Sequence, residues 1–258
     1  MIGEPFDGLP PDDARPAAQQ PTLPLAGRLI ALIEVLVCSG YPTQLILVVA
    51  FHTYGFLPTT DSGALSPAYV AALSLIDSLI LLGLIGMFLL SHGEDPRRVF
   101  LNGRSTVREA ILGLPLTFVA LILGGIVLVA VQRFAPSLHN VPHNPLEDVI
   151  QRPRDAWLFA VVVIVAGGVR EEIQRAFVLH RFRVWLGGAR TGLLVGSVAF
   201  GAGHLAQGAD AAIATGVLGL FWGLLYLRRR SVVAPMVSHS GFDLLEIGQY
   251  ILGQGVGT

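Results

Sequence analysis

The chain has 258 residues, 53% hydrophobic and 14% charged, with a net charge of −1 and a mean hydropathy of +0.65. An ordinary soluble domain carries about a quarter charged residues, so the composition argues against a water-soluble globule, and a near-neutral chain offers no basic face for nucleic acid. What remains is a polytopic membrane protein with the lipid bilayer as its partner. All 17 basic residues are Arg, a compositional habit from which no mechanism follows. The single cysteine, Cys38, lies inside an apolar block, which leaves no disulfide framework and no cysteine-based metal site.

Residues 1–24 hold six Pro and four acidic residues and little apolar material, so they are expected to form a disordered tail. No cleavable signal peptide is expected before the first apolar run near Leu25, and the first span should act as its own insertion signal. Apolar blocks follow at 25–51, 69–91, 110–132, 156–182, 191–208, 211–227 and 232–252. A helix of about 20 residues crosses a hydrocarbon core of about 30 Å. The expected fold is therefore an all-α transmembrane bundle of about seven spans. Spans 1–3 occupy 25–132, an outer loop 133–155, the later spans 156–252 and a short tail 253–258.

Arginines near span ends stay cytoplasmic. With the N-terminus inside, 12 Arg fall on the cytoplasmic side and only Arg133, Arg152 and Arg154 outside, which orients the protein N-in and C-out in the plasma (bacterial inner) membrane. In this reading the triplet Arg228–Arg230 is a topology anchor. His139 and His143 of the outer loop are separated by Pro142 and read as exposed loop residues rather than a metal pair. The spacings Gly192/Gly196 and Gly219/Gly223 predict close packing of the spans at 191–208 and 211–227. Glu34 and Asp77, in early spans, are expected to hydrogen-bond between helices, while His92, His180, Tyr69, Trp157 and Trp185 are expected at the membrane interface.

Ionisable residues within lipid-embedded helices are costly and usually mark function. The fourth block carries Arg170, Glu171, Glu172 and Arg175, with Glu171 and Arg175 spaced to pair one turn apart. Two adjacent carboxylates in a poorly hydrated site make one of them a candidate base. Phe200 and His204 share a face at the end of the fifth block, as do His239 and Asp243 near the start of the seventh. Counting about 1.5 Å per residue from the cytoplasmic span ends puts Glu171, His204 and His239 at roughly 18, 21 and 14 Å. That common layer suits water-dependent hydrolysis of a peptide bond, with a carboxylate taking the proton and imidazoles holding water and oxyanion. Two His and a Glu can also bind zinc, with Glu171, His204 and His239 as the ligand set. The helical HExxH signature is absent, so no cofactor is expected.

Glu171-Glu172-Ile173-Gln174-Arg175 fits EExxxR, Phe200–His204 fits FxxxH and His239–Asp243 fits HxxxN/D. In that order, over roughly 150–250, these resemble the motifs of the CPBP family of CAAX prenyl endopeptidases and bacteriocin-processing or self-immunity proteins. The resemblance implies a glutamic-type intramembrane endopeptidase acting on a membrane-associated peptide or protein. Glu171 would activate the water and His204 would position it. His239 would contribute to the oxyanion site with Asp243, and Glu172 and Arg175 would shape and neutralise the cavity. The motif often ends in Asn, and an ionised Asp243 cannot donate to an oxyanion, so it must be protonated or orient His239. A proton-coupled transporter, or a silent scaffold of the same fold, are the alternatives that buried Glu, His and Asp also allow.

Overall fold

The computed structural model describes residues 24–60, 63–141, 149–150 and 152–254. The expected disordered tail lies almost wholly outside these residues, as do Pro142 and His143. Among the described residues the chain is helical, and the one β-pairing is an isolated bridge between Thr59 and Leu65.

The first apolar block is two helices, α1 (Leu25–Val37) and α2 (Tyr41–Thr53), bent by 44° at their break. The cause is local. Gly40 sits at φ +90°, a conformation that favours glycine, and Pro42 follows with no N–H to offer the Cys38 carbonyl one turn back. Helix α3 (Pro67–Ser91) starts on a Ser66 cap whose hydroxyl accepts the Tyr69 N–H at 3.3 Å, with Pro67 in the first turn. A short α4 (Pro96–Phe100) leads into α5 (Thr106–Phe134). The second half runs through α6 (Pro153–Val162), a π-helical stretch at Val163–Glu171 and α7 (Glu172–Trp185). Then come α8 (Ala189–Ala202), α9 (Ala209–Arg229) and α10 (Val233–Gln254).

Among the described residues three helices, α3, α5 and α9, are long and apolar enough to cross a membrane, and the bent α1–α2 pair makes a fourth if it is one span. Helix α8, at 14 residues, is a shorter apolar helix of about 21 Å.

Polar pairs tie the two ends of the bundle. Arg229 bonds Glu109 at 2.5 and 3.1 Å and Gln132 donates to Asp210 at 3.0 Å, so α5 and α9 run antiparallel. At the Arg229 end, Tyr226 Oη donates to the Val99 carbonyl at 3.0 Å and the Val232 N–H to that of Phe100 at 2.9 Å. There too Arg181, 1% exposed, joins Glu34 of α1 to Glu94, at 2.5 Å each. Thus the chain turns near 100, 186 and 230 gather at one end and the 135–141 and 208–210 turns at the other.

Several local expectations change. His180 is bonded inside the bundle: its Nε2 meets Glu94 at 2.8 Å within the Arg181 network. His92 belongs to the same network through Glu34, at 2.7 Å. Tyr69 is buried, edge-on to Phe51 at 5.4 Å and beside Phe56 at 5.3 Å. His139 is half-exposed yet fixed, its ring 2.7 Å from buried Asp210. Trp157 is exposed, while Trp185 lies over Gly27, where a Cβ would come within 2.5 Å of its ring. The α8 and α9 backbones approach closely at Gly201, where a Cβ would lie 2.5 Å from the Ala212 carbonyl. Gly192 instead makes room for Phe182 of α7, and Gly219 and Gly223 for Phe200 and Leu193 of α8. Glu34 and Asp77 both hydrogen-bond between helices, as expected of buried polar groups.

Candidate active site

The π-helical stretch begins within a run of β-branched residues and contains Gly167 and Gly168. Such widened turns recur at functional sites because they re-aim the side chains that follow. Both glycines face α10. A Cβ on Gly168 would overlap the Ser240 hydroxyl, and one on Gly167 would come within 2.5 Å of Asp243 Oδ2. Gly168→Ala is therefore expected to cost about 1–3 kcal/mol by overpacking and to lower the melting temperature in detergent. Gly86→Ala in α3, where a Cβ meets nothing within 4 Å, should leave it unchanged or raise it, because Ala is the better helix former. Equal melting temperatures for the two variants would contradict this packing.

Glu171 and Glu172 leave this stretch in different directions. Glu171, with its side chain 19% exposed, lines a cavity of about 310 Å³ together with Gly40, Gln44, Arg170, Gln174, Arg175, Phe200 and His204. Val178, Leu179 and Leu193 give the same cavity an apolar wall. Glu172 turns towards α10 and is 1% exposed. Its Oε1 accepts from His239 Nδ1 at 2.8 Å and from Arg175. Arg175 therefore pairs with Glu172 and not with Glu171 as the sequence spacing suggested. Residues three and four back are both neighbours on a helix, and the fully buried carboxylate is the one that needs the charge partner.

The Arg175 guanidinium also lies over the Phe200 ring, 4.5 Å from its centroid. His239 is 4% exposed and stacks on Trp222 with centroids 3.8 Å apart. Trp222 is itself held by its indole N–H donating to Ser238 Oγ at 3.2 Å. With Nδ1 committed to Glu172, His239 Nε2 faces Glu171 Oε2 at 3.9 Å and Asp243 Oδ2 at 3.8 Å.

His204 lies just past the end of α8, in the turn before Leu205–Gln207. Its Nδ1–H donates to the Phe200 carbonyl at 2.8 Å, which leaves Nε2 as the acceptor of the neutral ring. Phe200 contacts both imidazoles, with centroids 4.9 Å from His204 and 6.1 Å from His239. Glu171, Arg175, Phe200 and His204 thus line the cavity, while Glu172, His239 and Asp243 form a layer behind Glu171. Among the described residues no three His, Cys, Asp or Glu side chains are grouped to hold a metal ion. The trio Glu171, His204 and His239 does not form such a group.

The model of the Rce1-like family, type II CAAX prenyl endopeptidases, matches residues 153–245. Over these residues the chain is similar to the CPBP family. The matched segment contains all seven motif residues, and the family it resembles is a protease family whose members act on peptide or protein substrates. With the apolar helices, it makes the chain a membrane protein. Comparison with curated proteins and with solved structures returns no match.

Beyond the seven motif residues, the candidate site includes residues that spacing alone did not single out. Trp222 carries no motif, although it forms the platform under His239. Gln174 stands inside EExxxR, and its amide donates at 2.8 Å to the Cys38 carbonyl that Pro42 leaves without a partner. Gln44 and Gly40 reach the cavity from the α1–α2 break, which precedes the matched segment.

Proposed function

We propose that the protein is an intramembrane endopeptidase that hydrolyses a peptide bond in a membrane-associated peptide or protein, using water activated by Glu171. One observation carries this reading: Glu171 and His204 open on one cavity while Glu171 stands 3.9 Å from the buried imidazole of His239.

In the proposed reaction, Glu171 takes a proton from water as the oxygen attacks the scissile carbonyl, then returns it to the leaving amine. His204, its Nδ1–H tied to Phe200, turns Nε2 to the water and orients it. The gaps of 3.8 and 3.9 Å around His239 Nε2 exceed a hydrogen bond and are of the width that a shared water closes. His239 donates from Nε2 towards the developing oxyanion in its doubly protonated form, whose charge Glu172 and Asp243 balance. Asp243 thereby orients and neutralises the imidazole, in the place of the amide that the family motif often carries. Glu172 and Arg175 hold His239 and Phe200 in place.

We further propose seven crossings, with the N-terminus in the cytoplasm of a bacterial cell. In support, the turns rich in Arg, near 97–108, 181–190 and 228–230, gather at one end of the bundle. Crowding of the ionisable motif residues into one half disfavours the transporter reading, which calls for matched broken helices in both halves.

The test compares membrane peptidomes of cells making the wild-type protein and Glu171→Gln. A fragment released only by the wild type supports the reading and names the substrate; identical peptidomes overturn it. The hydrolysis is also proposed to be metal-independent. Purified protein treated with a zinc chelator should keep its turnover, and a stoichiometric zinc lost together with activity would refute that independence.

A further inference from the structure

Immediately before Glu171 stands Arg170, 9% exposed and on the wall of the same cavity. Its guanidinium has a carboxylate on either side. Asp77 Oδ2 lies 3.9 Å from Nη2, and Glu171 Oε1 lies 3.8 Å from Nη1. Nη1 also donates to Gln174 Oε1 at 3.0 Å, bracing the arginine along its own helix. Asp77 is fully buried in α3 and accepts from Thr43 Oγ1 at 2.5 Å and Gln44 Nε2 at 3.3 Å, both from α2. A continuous chain of polar contacts thus runs from α2 and α3 to Glu171, and its first three members precede the matched segment.

An acid in a long apolar helix is expensive, and a buried ion pair rarely gains stability over well-packed apolar residues. A packing role alone gives no reason for Asp77. The orientation of a reacting carboxylate does, because its lone pairs must point at the water and its charge must be balanced without a proton. We propose that Asp77 and Arg170 are a positioning pair: Asp77 holds the Arg170 guanidinium against Glu171, so that the N-terminal helices complete the active site. The inference rests on Glu171 being the general base.

The pair is tested with full-length protein in detergent and a synthetic, internally quenched peptide that spans the cleavage site found by the peptidome comparison. A misplacement of about 1 Å costs about 100-fold in rate. Because the pair acts on the transition state rather than on binding, kcat should fall about 100-fold in Arg170→Gln and about tenfold in Asp77→Asn, with KM within about threefold. Arg170→Lys keeps the charge and should regain about tenfold over Arg170→Gln. Since Arg170→Gln strands the buried Asp77 carboxylate, the double variant Asp77→Asn/Arg170→Gln, which removes both charges, is measured as well. If the pair positions Glu171, the double variant stays as slow as Arg170→Gln. A folded double variant with wild-type turnover, or losses confined to KM or to the yield of folded protein, overturns the inference and makes the pair a staple. Cleavage by Glu171→Gln would instead overturn the general-base reading, while a silent Glu171→Gln beside fully active pair variants removes the positioning pair alone.

Discussion

Glu171→Gln should lose about 10²–10⁴-fold in turnover, the usual contribution of a positioned general base, while the protein inserts and melts as the wild type does. The geometry separates this outcome from that of its neighbour. Among the described residues Glu171 makes only long polar contacts, at 3.8 Å to Arg170 and 3.9 Å to His239, and its side chain is 19% exposed. An amide of the same shape therefore breaks no short hydrogen bond. Glu172 is 1% exposed and bonded to both His239 and Arg175. Glu172→Gln leaves Arg175 without its carboxylate in a buried site and should lower both the melting temperature and turnover. Thermal melts beside turnover assays on the two variants read the difference directly. If Glu171→Gln destabilised and Glu172→Gln did not, the roles given to the two acids would have to be exchanged.

Arg181→Ala should be the most destabilising single change outside the active site. The guanidinium is 1% exposed, bonds Glu34 and Glu94 at 2.5 Å each, and lies 4.7 Å from the Phe177 centroid. Removing it leaves Glu34, 4% exposed, with His92 at 2.7 Å as its one remaining short side-chain contact among the described residues. Breaking a buried pair by removing one partner costs about 3–5 kcal/mol, enough to unfold a marginal protein. Loss of monodisperse protein in detergent, or a large drop in melting temperature, is the expected readout; a melt within a degree of the wild type would show that the network holds nothing together. Glu94, in the turn after α3, adds a pH dependence. Burial works against its carboxylate, but the hydrogen bonds from Arg181 and His180 outweigh it and hold its pKa below the ordinary value. Its contribution is therefore complete above the unfolded glutamate pKa of about 4.3 and is lost as the pH falls through the lower folded value.

The chemistry was legible to different depths along the chain. EExxxR, FxxxH and HxxxD lie on three separated segments, and local spacing suffices to pick out each because every motif fits within two helical turns. Which carboxylate pairs with Arg175 was not legible: Glu171 and Glu172 are equivalent by helix spacing, and only His239, arriving from a segment more than sixty residues away, separates them. The buried acids Glu34 and Asp77 stood out as costly residues, yet their partners Arg181 and Arg170 lie far off in the chain. The partners of His180 and Tyr69, Glu94 for the one and Phe51 and Phe56 for the other, were hidden for the same reason.

Composition alone determined that lipid is the solvent and that the chain is helical, because hydropathy and length act residue by residue. The short motifs likewise determined which side chains are candidates for chemistry, since spacing within one helix is a local property. Tertiary structure decided that the Cys38 carbonyl orphaned by the Gly40–Pro42 break finds Gln174, and that His239 stacks on Trp222. It also decided that Glu171 opens to a cavity while Glu172 is sealed behind it. These are contacts between distant segments, and their energies come from burial and charge pairing that no window of sequence contains.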